Sequence, residues 1–234
     1  MKAVFLKELR QYWNSLTGAV FLAAYALMIG YQFYVGNLLA QNGSVSRLFE
    51  SVLSMLMFFI PILTMRLFAE EKKMHTDQLV FTAPVSDAQI MAGKFGAAWL
   101  VFGVGSLPLL WAVCVMAGYG CFQGLTLLGN FTALCLAGAL FIAIGMLVSA
   151  CTENQVVAAI VSYVILLGMW SIGYLQAYLP QSLLLDVIRY MSYRSHIQRL
   201  ASGVFDCSTF VYFVSLTALC LGICCEVLKM RRDG

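Results

Sequence analysis

Few side chains in this 234-residue sequence are of types suited to chemistry, and they are scattered. Glu70 and Glu71 are adjacent carboxylates, the equipment of acid–base or metal-assisted hydrolysis. Only two histidines, His75 and His196, could join them, and they fall in different connections of the chain. A hydrolytic metal needs two or more ligands converging on one face, so that chemistry is not expected. Cys220, Cys224 and Cys225 have soft-metal character but no accompanying histidine or second cluster at ligand spacing. They read as small hydrophobes, as do Cys114 and Cys135 within apolar runs. Gly93-Lys94 is followed by Phe95 and lacks the upstream glycine of a phosphate loop, so ATP hydrolysis is not expected of this chain. No catalytic residue, metal ligand or resident cofactor is assigned.

The elements around these residues explain the scarcity. Hydrophobic residues make up 62% of the chain and charged residues 11%, about half the charged share of a soluble domain. Mean hydropathy is +0.86. Lipid must be the solvent for most of this surface. Six runs are long enough to cross a hydrocarbon core: Leu16 to Val35, Leu48 to Phe68, Phe95 to Gly118, Leu125 to Ala150, Val156 to Tyr178 and Phe210 to Leu228. Continuous apolar runs of this length mean helices, because a chain in lipid must satisfy its own backbone hydrogen bonds. The expected fold is an all-α integral membrane protein, one transmembrane domain over 1–234. The expected divisions are 1–15, 16–68, 69–94, 95–178, 179–207, 208–228 and 229–234.

Glu50 and Arg66 both fall in the second run, sixteen positions apart. At about 1.5 Å per residue they stand roughly 24 Å apart, each near an interface where it can snorkel. Ionisable groups deep in the spans are otherwise nearly absent, which weighs against a proton-relay or ion-coupled path. With the N-terminus inside, the cytoplasmic segments hold Lys2, Lys7, Arg10, Arg66, Lys72, Lys73, Lys94, Lys229, Arg231 and Arg232. The outer segments hold Arg47, Arg189, Arg194 and Arg199. Ten against four places both termini in the cytoplasm.

Three segments are more than spans. Lys2 to Asn14 carries Phe5, Leu9, Tyr12 and Trp13 at helical spacing and Lys7 and Arg10 on the remaining surface. It is expected to lie in the inner interface, with Phe5 and Trp13 as anchors and its bases against anionic lipid. The connection Ala69 to Lys94 continues the second span as a charged helix, in which Glu70 to Lys73 are expected to be solvated. It breaks at Thr82-Ala83-Pro84 and restarts at Ser86 or Asp87. Leu79, Val80 and Phe81 give it an apolar cluster suited to docking a partner. In the outer connection, Leu184, Val187, Ile188 and Met191 form one stripe, with Arg189 elsewhere, and Tyr193, Ile197 and Leu200 continue the apolar character. A re-entrant or surface-lying helix pair is expected, with Arg189 and Arg194 reaching outward and Asp206 or Ser208 capping the last span. In the fourth span, Ala133 and Ala137, Ala139 and Ala143, and Gly145 and Ser149 repeat a small-x3-small spacing, which serves either internal packing or a dimer seam. Cys121 and Cys207 both fall in outer connections, and nothing in the sequence pairs them.

Together these features resemble the permease subunits of type-2 ABC exporters, in particular the compact six-span branch that includes gliding-motility and copper-enzyme-maturation transporters. The most specific stretch is AEEKKMHTDQLVFTAPVSDAQIMAGKF, with Glu70, Glu71, Thr76, Asp77 or Gln78, Leu79, Pro84, Ser86 and Lys94 at the family's positions. Gln78 departs from the glutamate common there. Thr152 to Leu167 and Ser195 to Leu219 also look like family segments. The resemblance implies a second permease, the same chain or another, and a separate ABC ATPase that binds ATP and Mg. It implies docking of that ATPase on Glu70, Glu71, Thr76, Leu79, Phe81, Thr82, Pro84 and Ser86. It further implies an outer gate formed by Leu184, Ile188, Arg189, Arg194 and Ile197. The expected function is that of an exporting permease in the bacterial cytoplasmic membrane, with the bilayer and no nucleic acid among its partners. The alternatives are a membrane anchor for a cytoplasmic ATPase that performs no transport, and an intramembrane enzyme. Intramembrane proteases built on paired glutamates carry arginine where this chain has His75. The cargo is not legible.

Overall fold

The computed structural model describes residues 2–74, 86–119, 124–175 and 192–233, and these contain helices and no strand. In chain order the helices are α1 (Lys2–Asn14), α2 (Leu16–Phe33, continued by a π-helical segment, Tyr34–Leu39) and α3 (Val45–Thr64). Then come α4 (Ala69–Lys73), α5 (Asp87–Gly105), α6 (Leu107–Gly118), α7 (Gly124–Cys151) and α8 (Gln155–Leu175). The last two are α9 (Tyr193–Ala201) and α10 (Cys207–Asp233). Six helical stretches are long and apolar enough to span a bilayer: Leu16–Leu39, Val45–Lys73, Asp87–Gly118, Gly124–Cys151, Gln155–Gly173 and Cys207–Met230. The chain is a multi-pass membrane protein.

The longest helix, α7, is the axis of the bundle and packs against α3, α5, α8, α9 and α10. Its small residues decide how closely the others approach. Ala133, Ala137, Ala143 and Ser149 are fully buried, so these positions of the small-x3-small stripe serve packing within the chain, while Ala139 is half-buried. A side chain at Gly138 would meet the Phe102 ring at 2.4 Å, and one at Gly129 would meet the Leu200 carbonyl oxygen at 2.0 Å. By contrast, α8 buries only a narrow stripe, Ala158, Ser162 and Leu166, at four-residue spacing. Much of the rest of its surface is apolar and exposed, among it Val156, Val157, Ile160, Val161, Val164, Ile165 and Leu167, as a helix facing lipid should be.

Local signals set the helix ends. Ser15 accepts a hydrogen bond from the Gly18 amide and caps α2. Gly18 is required at that corner, because a Cβ there would lie 2.0 Å from the Tyr12 carbonyl oxygen. Ser86 occupies the cap position of α5, but its backbone carbonyl, not its hydroxyl, takes the Gln89 and Ile90 amides. Asp206 accepts from the Ser208 amide at the start of α10. The third span divides at Ser106, where Pro108 stands in the first turn of α6 and the Ser106 hydroxyl donates to the Phe102 carbonyl.

Candidate functional site

The second span does not run straight into its charged extension. Pro61 lies inside α3 and cannot donate to the preceding turn. The helix ends at Thr64, Met65–Phe68 form a turn, and α4 follows. Such a break frees backbone groups that cannot be left bare in an apolar setting. The Ser149 hydroxyl fills the gap: it accepts from the amides of Phe68 and Ala69 and donates to the Met65 carbonyl, each at 3.1 Å. Gly145, one turn earlier on α7, gives Thr64 room, since a Cβ there would fall 2.1 Å from the Thr64 hydroxyl. Ser149 thus holds an elbow between α3 and α4.

The elbow places its acids against other helices. Lys94 of α5 is 2% exposed, and its ammonium donates to Glu8 of α1 at 2.8 Å and to the Leu67 carbonyl at 2.7 Å. It also pairs with Glu71 of α4 at 2.9 Å and stands 5.0 Å from the centre of the Phe68 ring. Lys7 of α1 closes the cluster on the other Glu71 oxygen at 3.1 Å. Two carboxylates and two ammoniums balance across the cluster, with Lys94, Glu8 and Glu71 covered and Lys7 at the solvent side. Beside them, Arg66 bridges Glu70 and the Thr17 hydroxyl of α2. The expectation of solvated charges from Glu70 to Lys73 is therefore corrected: Glu70 and Glu71 are paired and largely covered, and Lys72 is buried. The physical reason is the break after Thr64, which sets Glu71 of α4 within ion-pair reach of Lys7 of α1 and Lys94 of α5.

The first helix forms as its periodicity indicates, but one face is committed to protein. Phe5 and Val4 lie against Gly93 and Gly96 of α5. Tyr12 is buried and donates to the Leu63 carbonyl at 2.8 Å. Burial and the neighbouring Glu8 carboxylate raise its phenol far above the usual range. Trp13 and Leu6 point away and are exposed. Glu8, Lys94, Arg66 and Ser149 were not singled out as site residues in the sequence. Glu8 had a legible signal, since it falls on the Phe5–Leu9–Tyr12 stripe where an unpaired acid would be costly.

Of the docking residues expected from the sequence, Glu70, Glu71 and Ser86 are placed as above. Thr76, Leu79, Phe81, Thr82 and Pro84 lie outside the described residues. At the opposite end of the bundle, Arg194 of α9 pairs with Glu50 of α3 at 2.7 Å, and Ile197 is buried. Glu50 is thus held by an ion pair and does not merely snorkel. Its α9 neighbours go deep. The Tyr193 ring packs on Phe141 with centroids 5.6 Å apart, while the Leu200 carbonyl faces Gly129. Gly129 and Phe141 stand about 18 Å apart along α7, so α9 runs into the bundle antiparallel to it. Leu184, Ile188 and Arg189 lie outside the described residues, as does Cys121. Cys207 is exposed at the start of α10. His196 is stacked on Tyr212 at 4.5 Å and meets the Thr209 hydroxyl at 3.2 Å.

A family model described as "ABC-2 family transporter protein" matches residues 37–224, which takes in everything from the end of the first span to the last. The chain belongs to the ABC-2 transporter family. No curated protein matches it. An ABC-2 permease is the membrane component of an ABC transporter and works with an ABC ATPase subunit. In this permease, the elbow and its ion pairs join α1, α2, α3, α4 and α5 at one end of the bundle, next to the segment 75–85 that connects α4 to α5.

Proposed function

We propose that this permease exports its cargo through a path in the bacterial cytoplasmic membrane, with both termini in the cytoplasm and a second permease beside it. The ATPase docks on the connection 69–94, through Glu70, Glu71, Thr76, Leu79, Phe81, Thr82, Pro84 and Ser86. ATP and Mg bind to that partner. The observation that carries the reading is the Lys94 cluster. A push on α4 is delivered to α5 through Glu71–Lys94 and from there to α1 through Lys94–Glu8, because a buried ion pair resists separation. Docking force therefore reaches the first, second and third spans together, without passing through a soft joint. At the other end, the Glu50–Arg194 pair links α3 to α9, which supports assigning Arg194 and Ile197 to an outer gate, and we assign Leu184, Ile188 and Arg189 to the same gate. Trp13 anchors α1 at the inner interface, while Phe5, the other anchor expected from the sequence, packs α1 onto α5.

The test uses the permease co-purified with its ATPase and reconstituted in liposomes. Replacing Leu79 and Phe81 by Asp should leave insertion intact and uncouple ATP hydrolysis from cargo movement. Unchanged coupling in that double variant removes the docking assignment.

A further inference from the structure

A cleft of about 700 Å3 opens between α1 and the elbow, lined by Leu6, Lys7, Arg10, Gln11, Asn14, Ser15, Arg66 and Glu70. It is within the size range of pockets that hold small ligands. Three cations face one carboxylate, so the lining carries a formal excess of positive charge. Two of the cations are committed elsewhere: Lys7 to Glu71, and Arg66 to Glu70 and Thr17. Arg10 is exposed and makes no ion pair or hydrogen bond among the described residues, and the Nε of Arg66 has no hydrogen-bond partner there. Gln11 and Asn14 add exposed amide donors on the same helix.

The rim is apolar. Leu6, at 61% exposure, lines the cleft, and Leu16, the first residue of α2 and next to Ser15 of the lining, is 81% exposed. An occupant must therefore satisfy a cationic floor and an oily edge together. A free phosphate would satisfy only the first. We propose that this cleft is a binding site for the phosphate headgroup of an anionic phospholipid, with Arg10 as its principal contact, Lys7 and Arg66 as flanking charges, and the acyl chains passing Leu6 and Leu16. The site shares Arg66 and Glu70 with the proposed docking elbow, so its test reads lipid binding and not coupling. Loss of one assignment then leaves the other standing.

The experiment measures binding of a fluorescent phosphatidylglycerol to the purified permease in neutral detergent, with phosphatidylcholine and inorganic phosphate as competitors. Phosphatidylglycerol should compete much better than phosphatidylcholine, and inorganic phosphate should compete only weakly. Removing one facing cation should weaken binding roughly fivefold, so Arg10→Gln is expected to show that loss and Arg10→Lys to retain most of the affinity. Lys73→Gln, an exposed cation of α4 outside the cleft, is expected to bind as the parent does. Equal competition by phosphatidylcholine overturns the proposal, as does an unchanged affinity in Arg10→Gln. Equal weakening in Lys73→Gln would show diffuse surface attraction in place of a site. Competition by inorganic phosphate as strong as by the lipid would assign the cleft to a soluble anion.

Discussion

Lys94 donates to Glu8 across 2.8 Å although 86 positions separate them, and both side chains are almost sealed from solvent. This contact makes the first helix part of the permease body. Lys94 is the shared cation of two carboxylates, so its removal should do more than delete one bond. Lys94→Met leaves Glu8 without its buried counter-ion and Glu71 with only the partly exposed Lys7, and should cost roughly 3–5 kcal/mol in unfolding measurements in detergent. Lys7→Met removes an ammonium whose side chain is 56% exposed, and should cost less than about 1 kcal/mol. Converting Glu8 and Glu71 to Gln together with Lys94→Met should recover much of the loss. Equal losses in the two single variants would show that the cluster is not organised around Lys94.

The elbow rests on a different residue. Ser149→Ala removes one hydroxyl and strands two amides and a carbonyl in a dry setting, for an expected cost of about 2–4 kcal/mol. Ser149→Thr keeps the hydroxyl but adds a methyl to a fully packed site, and should also destabilise. Gly145→Ala drives a methyl into the Thr64 hydroxyl, which shares its own bond with the Ile60 carbonyl. A shift of the α3–α4 break should follow, read as faster amide exchange at Phe68 and Ala69. Unaltered exchange in both Ser149→Ala and Gly145→Ala would mean the break does not depend on α7.

These two cases show what the sequence discloses and what it conceals. Apolar runs disclosed the six spans, because run length against bilayer thickness leaves little choice. The first helix was legible from its periodicity, and the cap of the last span was narrowed to Asp206 or Ser208, of which Asp206 accepts the bond and the Ser208 amide donates it. What stayed hidden was pairing over long separations. Nothing near Glu71 in the chain points to Lys94 or Lys7, so adjacency suggested water where the fold supplies partners. Ser149 looked like one more small residue in a packing stripe, since its three backbone partners exist only once α3 breaks. Pro61, inside the second run, is a helix breaker not singled out in the sequence, and nothing near it in the chain points to Ser149 as the repair.

Glu50 and Arg194 form the counterpart ion pair at the other end, on α3 and α9. Glu50 is 53% exposed, so water screens the contact, and a double-mutant cycle with Gln at both positions should give a coupling of about 0.2–1 kcal/mol. The functional effect should exceed the energetic one. If α9 belongs to an outer gate, Arg194→Gln should raise passive leak of a small solute from liposomes while leaving thermal stability nearly unchanged. Leak equal to that of the parent, with stability also unchanged, would remove Arg194 from the gate.

Sidedness underlies both the docking and the lipid assignments, and it rests on basic residues gathering around α1, α4 and the end of α10. Labelling tests it directly. In a cysteine-free background, Cys207 restored alone should react with a membrane-impermeant maleimide added to intact cells, because it is exposed at the start of α10, at the end opposite α4. Thr76→Cys should react only after the membrane is opened, since the connection between α4 and α5 is assigned to the cytoplasm. An odd number of spans separates the two positions, so they must lie on opposite faces. Reaction of Thr76→Cys from the medium, with Cys207 protected, would invert the whole chain. A cytoplasmic ATPase could then no longer reach the elbow, and the basic cleft would meet the outer leaflet instead of the anionic lipid of the inner one.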